Sequence, residues 1–251
     1  MTFRSLITGG SRGLGRDMAL QLARNGHDII ITYRSAQAEA ASVISEITSL
    51  GRKAVALQLD VGAVNSFASF TQELRSVLRS EWGADHFDHL VNNAGNDVTG
   101  AFSTVTEAQF DSLFNVHFKG VFFLTQALLP MIVDGGRIIC ISSGLTRFSV
   151  PGYSAYAAMK GAVEILAKYL AKELGSRRIA VNVVAPGAVE TDFTSQAFST
   201  NPGLKEFIAS QTALGRVGQP QDIGGIVAFL CSPAAGWINA QRIEASGGMF
   251  L

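Results

Sequence analysis

A tyrosine and a lysine stand one helical turn apart in the segment SAYAAMKGA, residues 154–162, and this spacing could carry acid–base chemistry. The segment continues as VEILAKYLAKEL, a pattern that predicts a helix with Tyr156 and Lys160 on one face. A free phenol, with a pKa of about 10, is a poor acid–base catalyst at neutral pH. An ammonium group one turn away favours the phenolate and would lower that pKa. The nearby Tyr153 has Ala157 at the corresponding position and lacks such a partner.

On its own, the pair favours a simpler interpretation, a partly exposed ring beside a solvated lysine, because so short a pattern often arises by chance. The elements that would position the pair therefore matter. Short apolar runs alternate with longer amphipathic ones, and they predict strands at 3–7, 28–32, 53–59, 87–91, 137–141, 179–184 and 241–244. Helices are predicted at 14–25, 36–50, 64–79, 107–132 and 223–230, besides the helix of Tyr156. This alternation predicts an α/β fold, a parallel sheet with helices on both faces, in one domain spanning 1–251.

Charge and cysteine content exclude several classes of partner. The 251 residues carry 20 basic and 20 acidic side chains, so no net field recruits nucleic acid or an anionic membrane. The two cysteines, Cys140 and Cys231, lie far apart in apolar surroundings, which suits a reducing compartment. His86 and His89 have no accompanying ligand set, so we expect no metal. We expect a soluble cytoplasmic protein, since neither a signal peptide nor a membrane span is apparent.

The first predicted strand leads into a glycine-rich turn. Ligands of parallel sheets bind beyond the carboxyl ends of the strands. The sequence TGGSRGLG, residues 8–15, places glycines where a tight turn and a helix N-terminus would receive a pyrophosphate. The same residues fit the Gly-x-Ser-x-Gly elbow of hydrolases. That alternative needs a later histidine, and the last of the four histidines is His117, so we favour a dinucleotide site.

The ends of the next strands indicate which dinucleotide binds. An NAD site has a carboxylate after the second strand, whereas an NADP site has an arginine. Here Arg34 and Ser35 follow that strand, and Arg12 lies in the glycine turn, so a 2′-phosphate would meet guanidinium groups. Asp60 follows the third strand and could accept a hydrogen bond from an adenine amino group. The NNAG turn at 92–95 follows the fourth strand and would let backbone lie beside a ribose.

Taken in order, these motifs resemble the short-chain dehydrogenase/reductase family over essentially the whole chain, and in particular its β-ketoacyl-(acyl carrier protein) reductase-like branch. The motifs that carry the resemblance are TGxxxGxG at 8–15, Asp60-Val61, NNAG at 92–95, Asn115, Ser143, YxxxK at 156–160 and PGxxxT at 186–191. The resemblance implies a Rossmann-like, doubly wound parallel sheet of about seven strands and a homo-oligomer, a tetramer or a dimer. The apolar predicted helix at 107–132 suits burial in such an interface, although burial within one subunit would also satisfy it.

The resemblance implies an NADP(H)-dependent oxidoreductase that transfers hydride between the nicotinamide and a carbonyl or secondary alcohol. Tyr156 would donate the proton, Ser143 would hold the oxygen, and Lys160 would tune Tyr156 and hold the nicotinamide ribose. Asn115 would position a water that reloads the proton, and His117 receives no catalytic role. The predicted cofactor site comprises Gly9, Ser11, Arg12, Gly13, Leu14, Gly15, Arg34, Ser35, Asp60, Val61, Asn92, Ala94, Gly95, Tyr156, Lys160, Pro186, Gly187, Val189 and Thr191.

The substrate site should lie between Ser143 and the helix of Tyr156 and after Thr191. The residues expected to line it, a mostly apolar set, are Ser143, Leu145, Phe148, Tyr153 and Phe193. Turn-forming residues at 192–211 suggest a mobile lid. A small apolar carbonyl or alcohol is favoured. The alternatives are a thioester on acyl carrier protein, which Arg177 and Arg178 could attract although Asp134 opposes it, and a catalytically silent NADP-binding regulator.

Overall fold

A computed structural model describes residues 2–251, apart from the side chains of Phe193 and Gln196. Over this range the strands are β1 (Arg4–Ile7), β2 (Asp28–Tyr33), β3 (Ala54–Gln58), β4 (Phe87–Asn92), β5 (Ile132–Ile141), β6 (Ala180–Pro186) and β7 (Arg242–Ala245). The helices are α1 (Gly13–Arg24), α2 (Gln37–Ser49), α3 (Phe67–Trp82), α4 (Glu107–Phe114), α5 (Gly120–Leu128), α6 (Ser154–Glu173), α7 (Asp192–Thr200), α8 (Leu204–Ser210) and α9 (Gln221–Leu230). None of these helices combines the length and the apolar character that a membrane-spanning segment needs.

The strands pair in the order β3-β2-β1-β4-β5-β6-β7, and every pairing is parallel. The direction of winding reverses between β1 and β4, which are neighbours although β2 and β3 intervene in the chain. In such sheets the crevice outside the carboxyl ends of the strands at the reversal point is where ligands bind. The predicted α/β, Rossmann-like sheet is confirmed.

Two apolar cores cover the two faces of the sheet. Alternate residues of one strand point to opposite faces, so Leu6 of β1 belongs to one core and Ile7 to the other. Helices α3, α5 and α6 pack in the first core, and α1, α2 and α9 pack in the second. Because both faces are covered, the strands are apolar along most of their length, as in DIIIT of β2.

Three elements differ from the sequence-based predictions. The single helix predicted at 107–132 is two helices joined by a π-helical turn, Asn115–Lys119, and it ends in a short 3-10 turn at Leu129–Met131. Strand β5 begins five residues earlier than predicted, at Ile132. The segment 192–211, predicted to be turn-rich, contains helices α7 and α8.

Candidate active site

The glycine turn, residues 8–15, joins β1 to α1 at the reversal point of the sheet. Gly9 has a left-handed φ of +66°, and a Cβ on Gly15 would lie 2.2 Å from the Gly9 carbonyl oxygen. Only glycine permits this packing, which brings the backbone N–H groups of the α1 N-terminus to the sheet edge. The Asn93 side-chain amide donates to the carbonyl oxygens of Thr8 and Gly9, at 2.9 and 3.2 Å. The turn therefore has the close backbone packing that approach of an anion to the α1 N-terminus requires.

The other predicted cofactor residues follow the carboxyl ends of their strands. Arg34 and Ser35 are exposed after β2, and the Gln58 side chain donates to the Arg34 carbonyl oxygen at 2.9 Å. Asp60 uses Oδ1 to accept from the Gly62 N–H at 2.8 Å, which holds the turn after β3. Arg12 lies 3.7 Å from Asp192, with both side chains exposed. The guanidinium groups of Arg12 and Arg34 thus lie on the solvent side of the glycine turn.

The loop after β6 approaches the glycine turn from the other side of the reversal point. A Cβ on Gly13 would lie 3.6 Å from the Thr191 Cβ, so the two loops are in contact distance. Thr191 begins α7 with a capping interaction, in which its N–H donates to Thr194 Oγ1 at 3.1 Å. Pro186 and Val189 are buried beneath this loop, whereas Gly187 is half-buried. A cofactor pyrophosphate on the α1 N-terminus would therefore have the loop 186–191 beside it.

One predicted cofactor residue points elsewhere. The Asn92 side chain is buried and donates to Thr125 Oγ1 at 3.0 Å, so it faces helix α5 inside the sheet and not the ligand edge. Asn92 is still within β4, and its side chain alternates into the core. The predicted place of the NNAG backbone beside a ribose does not depend on this side chain and stays a prediction. The neighbouring Asn93, which we did not predict, is the residue whose side chain hydrogen-bonds to the glycine turn. Ala94 contacts that turn as well, since a Cβ on Gly9 would meet its Cα at 2.9 Å.

Ser143, Tyr156 and Lys160 meet just beyond the end of β5. Ser143 and Tyr156 share a side-chain hydrogen bond, and Ser143 Oγ also accepts from the Leu145 N–H at 3.2 Å. The buried Lys160 Nζ donates to the Ile141 carbonyl oxygen at 2.8 Å and lies 5.6 Å from the centroid of the Tyr156 ring. The adjacent Ser142 points away, because its hydroxyl donates to Glu164 Oε1 at 2.7 Å. The sequence-based choice between the two serines agrees with this geometry.

Burial is the largest influence on the pKa values of Tyr156 and Lys160. It raises the pKa of Tyr156 well above its usual value, against a smaller lowering by the hydrogen bond from Ser143. Burial also lowers the pKa of Lys160 to about 8. The expectation that Lys160 brings the Tyr156 pKa toward neutrality is wrong for the protein alone, since desolvation of the phenolate outweighs the nearby ammonium. The protonated phenol is, however, the form that can donate a proton to a developing alkoxide.

The π-helical turn between α4 and α5 carries both Asn115 and His117. The Asn115 Cβ lies 4.0 Å from the position that a Cβ on Gly62 would take, and the His117 ring lies edge-on to Tyr156 with centroids 5.0 Å apart. The role expected for Asn115, which is to position a water that reloads the proton through Lys160, stays a prediction. The wide π-helical turn changes which side chains face α6, and such turns are frequent at functional sites. His117 was missed, although it is the one histidine within an otherwise apolar helical stretch.

An apolar cleft of about 310 Å³ opens at the N-terminal end of α6, and its lining includes Tyr153, Ser154 and Ala157. Leu145 and Tyr153, two of the residues predicted to line the substrate site, line this cleft, whereas Ser143 is not among its lining residues. Phe148 does not line it, because its ring packs against Phe250 at 5.0 Å and beneath the loop at Gly144, so its prediction is wrong. Phe193 lies outside the described side chains. The full lining of this apolar cleft is Ala101, Phe102, Leu145, Ser149, Val150, Pro151, Gly152, Tyr153, Ser154 and Ala157.

The loop between β4 and α4 supplies two features that we did not predict. Phe102 lines the apolar cleft, and its side chain is 87% exposed on the open side. Asp97 lies close enough to Tyr153 and Tyr156 for its charge to raise the pKa of both phenols, and partial burial raises the pKa of Asp97 itself. The mouth of the cleft is thus apolar with one acidic group. The described side chains include no group of three or more His, Cys, Asp or Glu that could hold a metal ion.

Comparison with known proteins decides the family. A family model described as enoyl-(acyl carrier protein) reductase matches residues 9–250. An uncharacterized oxidoreductase of Methylorubrum extorquens is 39% identical over 245 residues, which cover 98% of this chain and 96% of that protein. The chain belongs to the short-chain dehydrogenase/reductase family.

Two further relatives of this short-chain dehydrogenase/reductase have more specific names. A hydroxynaphthalene reductase-like protein of Metarhizium brunneum is 37% identical over 258 residues, covering 97% of this chain and 93% of that protein. The crystal structure of the angucycline C-6 ketoreductase LanV with bound NADP superposes with a TM-score of 0.93 at 38% identity, covering 99% of this chain and 95% of that one. The family predicted from the sequence motifs is thus confirmed.

Proposed function

We propose that this protein is an NADP(H)-dependent reductase that converts a ketone of an apolar, ring-containing substrate into a secondary alcohol. NADP(H)-dependent carbonyl reduction is the activity of this family that the relatives support. The observation that carries the substrate class is the apolar cleft of about 310 Å³ at the N-terminal end of α6, the helix that carries Tyr156. That volume is at the lower end of ligand pockets, which span about 300–1,000 Å³. A flat fused-ring ketone fits such a cleft, and the hydroxynaphthalene and angucycline reductases are named for fused-ring compounds.

The described residues fit a dinucleotide with a 2′-phosphate. The close packing of Gly9 and Gly15 leaves no Cβ between the α1 N-terminus and a pyrophosphate, and Arg12 and Arg34 present exposed guanidinium groups beside it. Most of the other predicted cofactor residues lie in the turns after the strands, namely Ser11, Ser35, Asp60, Val61, Ala94, Gly95, Gly187, Val189 and Thr191. Gly13 and Leu14 begin α1, and Pro186 ends β6. NADPH, when bound, supplies the hydride. We propose that Lys160 holds the nicotinamide ribose, because its ammonium keeps N–H groups beyond the one bonded to Ile141.

Three side chains carry out the proton chemistry of the proposal. Ser143 Oγ accepts from the Leu145 N–H and shares a hydrogen bond with Tyr156, and its hydroxyl hydrogen turns to the substrate carbonyl oxygen when the substrate binds. Tyr156, kept protonated by burial, donates its phenolic proton to that oxygen as negative charge develops. The Lys160 ammonium stabilises the phenolate that remains. The reaction therefore leaves a secondary alcohol and a tyrosinate that must regain a proton before the next turnover.

Docking of an acyl carrier protein is less well supported. Arg177, one of two arginines considered for it, donates to Asp134 at 2.8 Å and to the carbonyl oxygens of Leu129 and Ile132. These bonds occupy the guanidinium within the chain, although Arg178 is exposed. The acidic Asp97 beside the cleft would repel the anionic linker of a carrier thioester. The silent regulator is also less well supported, because Ser143, Tyr156 and Lys160 are together.

We further propose that the protein acts in the cytoplasm as a homo-oligomer. Helices α5 and α6 leave large apolar side chains exposed, with Phe122 and Phe123 each 38%, Ile165 52% and Tyr169 65% exposed. Isolated subunits rarely expose so many large apolar groups on adjoining helices, and a second copy of the same surface would cover them.

Oxidation of NADPH by the purified protein tests the proposed function. The substrate panel should contain tetralone-type and quinone-type fused-ring ketones, small diketones, aldehydes, sugars and a β-ketoacyl thioester. We expect turnover of the fused-ring ketones, weak activity with NADH, and loss of activity in Tyr156→Phe but not in Tyr153→Phe, whose ring lines the same cleft. Turnover of the thioester alone would establish the carrier-type reductase instead. Turnover in Tyr156→Phe at the wild-type rate would refute the assignment of the proton donor.

A further inference from the structure

The turn that carries Ser143 ends at Arg147, a residue that the proposed chemistry leaves unused. Ser143 Oγ caps the 3-10 turn Gly144–Thr146 by accepting from the Leu145 N–H at 3.2 Å. The Arg147 N–H closes the same turn by donating to the Gly144 carbonyl oxygen at 2.8 Å. Because one short turn joins the two residues, a movement of Arg147 displaces the Ser143 hydroxyl.

The Arg147 side chain binds Glu244 of β7 in a bidentate ion pair. Nε donates to Oε2 at 2.6 Å and Nη2 donates to Oε1 at 2.7 Å, so the guanidinium is fixed in both distance and plane. Glu244 also accepts from Arg242 at 3.1 Å and from Ser246 at 2.6 Å. Burial raises the pKa of Glu244, but the hydrogen bonds from these three residues together lower it to about 2, so the carboxylate stays charged at neutral pH. Arg147 thus has a partner that is itself held in place.

The remaining donors of Arg147 hold the segment 247–250. Nη1 donates to the Phe250 carbonyl oxygen at 3.1 Å, and Nη2 also donates to the Met249 carbonyl oxygen. The Phe250 ring packs on Phe148, the residue after Arg147, with centroids 5.0 Å apart. Phe250 has a left-handed φ of +52°, which is unfavourable for a residue with a side chain, and these contacts favour that conformation. All three nitrogens of the guanidinium therefore form hydrogen bonds.

The segment 247–250 has anchors of its own at the end of helix α8. The Phe250 N–H donates to the carbonyl oxygen of Gln211, the residue after that helix, at 2.9 Å. The Leu214 N–H, in the turn that follows, donates to the Gly247 carbonyl oxygen at 3.0 Å. The guanidinium therefore joins the turn of the catalytic serine to two fixed parts of the chain, β7 and this segment.

We propose that Arg147 is a positioning residue for Ser143. By fastening the serine turn to Glu244 and to the segment 247–250, it keeps the Ser143 hydroxyl beside Tyr156, where both can reach the substrate carbonyl oxygen. This inference rests on the proposed reductase function. Arg147 acts through the turn, and its guanidinium takes no part in hydride or proton transfer. Without this anchor the hydroxyl is displaced from the carbonyl oxygen, and a displacement of about 1 Å can lower a rate by about 100-fold.

The test compares Arg147→Ala with Arg147→Lys in NADPH-dependent reduction of the best substrate from the panel. We expect Arg147→Ala to lower kcat by about 10- to 100-fold, with the Kd of NADPH little changed. Lysine keeps the charge but not the planar fork, so Arg147→Lys should recover only a small part of kcat. The matched control is Arg216→Ala, which removes a similar bidentate pair with Asp222, at 2.6 and 2.8 Å, and should leave kcat unchanged. Full activity of Arg147→Ala would overturn the proposal.

A double-mutant cycle separates positioning of Ser143 from general damage to the site. If Arg147 acts through Ser143, its removal has no further effect once the serine hydroxyl is absent. We therefore expect Ser143→Ala and the double variant Ser143→Ala/Arg147→Ala to have the same kcat per NADPH-binding site. Losses that multiply would overturn the proposal, because a residue needed only for the general shape of the site would lower kcat whether or not the hydroxyl is present.

Amide hydrogen exchange tests the anchor without turnover. Measured by mass spectrometry, the exchange rate of residues 144–148 should be about 10-fold higher in Arg147→Ala than in the wild type, with strands β1 and β4 unchanged. Unchanged exchange at 144–148 in an active reductase would overturn the positioning role and leave the proposed function intact. Faster exchange there, in a protein whose wild type reduces no substrate of the panel, would refute the reductase function and still confirm the anchor.

Discussion

Lys160 holds an ammonium group in a buried position, where it titrates more easily than an exposed lysine. Burial lowers its pKa to about 8, whereas burial raises the pKa of Tyr156 well above its usual value. In the free enzyme the phenol is therefore protonated over the whole working range, and the charge that changes first is that of Lys160. Because Lys160 loses its proton before Tyr156, the alkaline limb of the pH–rate profile should report the deprotonation of Lys160.

We expect kcat/KM for ketone reduction to fall as pH rises through about 8, because Lys160 then loses the charge that stabilises the phenolate. The profile of kcat/KM reports groups of the free enzyme. Initial rates between pH 6 and pH 10 measure it, with Tyr153→Phe as the control that should leave the limb in place. A profile that stays level to pH 10 would contradict a titrating Lys160.

Arg34 should determine the choice between NADPH and NADH. A hydrogen bond to a charged group contributes about 1.5–3 kcal/mol, so Arg34→Ala should raise the KM for NADPH by about 10- to 100-fold. The KM for NADH should hardly change, because NADH lacks the 2′-phosphate. Arg24→Ala is the matched control, an exposed arginine at the opposite end of helix α1 from the glycine turn. Equal losses for both cofactors in Arg34→Ala would contradict this role.

At the scale of elements, the loop that carries Ser143 is held by two distant parts of the chain. Glu164 of α6 accepts from Ser142, Thr146 and Arg242. Arg242 of β7 in addition donates to the Ser143 carbonyl oxygen at 3.3 Å. The catalytic serine thus depends on a half-buried carboxylate one turn beyond Lys160 on the same helix.

Glu164→Ala should therefore lower the free energy of unfolding by about 1–3 kcal/mol, because it removes the partly buried carboxylate oxygen that accepts from Ser142, Thr146 and Arg242. Urea unfolding at neutral pH measures this. The matched control is Glu190→Ala, whose carboxylate bonds the exposed Lys205 at 2.9 Å and should change the free energy by at most about 1 kcal/mol. Similar small effects in both variants would show that the Glu164 network is dispensable.

Sequence patterns predicted the elements whose signals are local. The glycine turn, the strand ends and the Tyr156–Lys160 spacing each occupy a few consecutive residues, and the strand order then brings them together. The π-helical turn has no such signal, because one extra residue in a turn leaves an apolar helix looking continuous. It brings His117 edge-on to Tyr156, a contact that the sequence did not predict. Phe148 was misplaced for a related reason, since its partner Phe250 lies at the far end of the chain.

At the scale of the whole molecule, the end of the sheet opposite the active site contains a buried polar cluster. Ser5 Oγ lies 2.9 Å from His27 Nδ1 and 3.0 Å from His89 Nδ1, and Phe3 packs on both imidazole rings. Burial is the first cause that lowers the pKa of His27 to about 4 and that of His89 to about 3. Both rings are thus neutral in the folded protein over a range where the unfolded chain would bind protons.

Stability should consequently fall as pH decreases below about 6.5, the pKa of histidine in the unfolded chain. As pH falls from 6.5 to 5, each buried histidine should lower the free energy of unfolding by about 2 kcal/mol, since one pKa unit corresponds to about 1.36 kcal/mol. Urea unfolding at pH 7 and pH 5 measures the difference. His27→Gln should reduce the pH dependence, whereas His86→Gln, at an exposed position, should not. Equal slopes in all three proteins would contradict the effect.

The hydrogen bonds between Asn93 and the glycine turn have a consequence for folding during synthesis. Asn93 contacts Thr8 across a separation of 85 residues, and β1 pairs with β4 across a similar length of chain. During synthesis β1, β2 and β3 emerge first, yet the turn that would receive the nucleotide lacks its support until β4 has left the ribosome. Parallel pairing over such distances is slow, because a long loop must close before its contacts form. A nascent chain that stops before residue 93 should therefore be unable to retain the dinucleotide, and capture of the dinucleotide should coincide with the insertion of β4 beside β1.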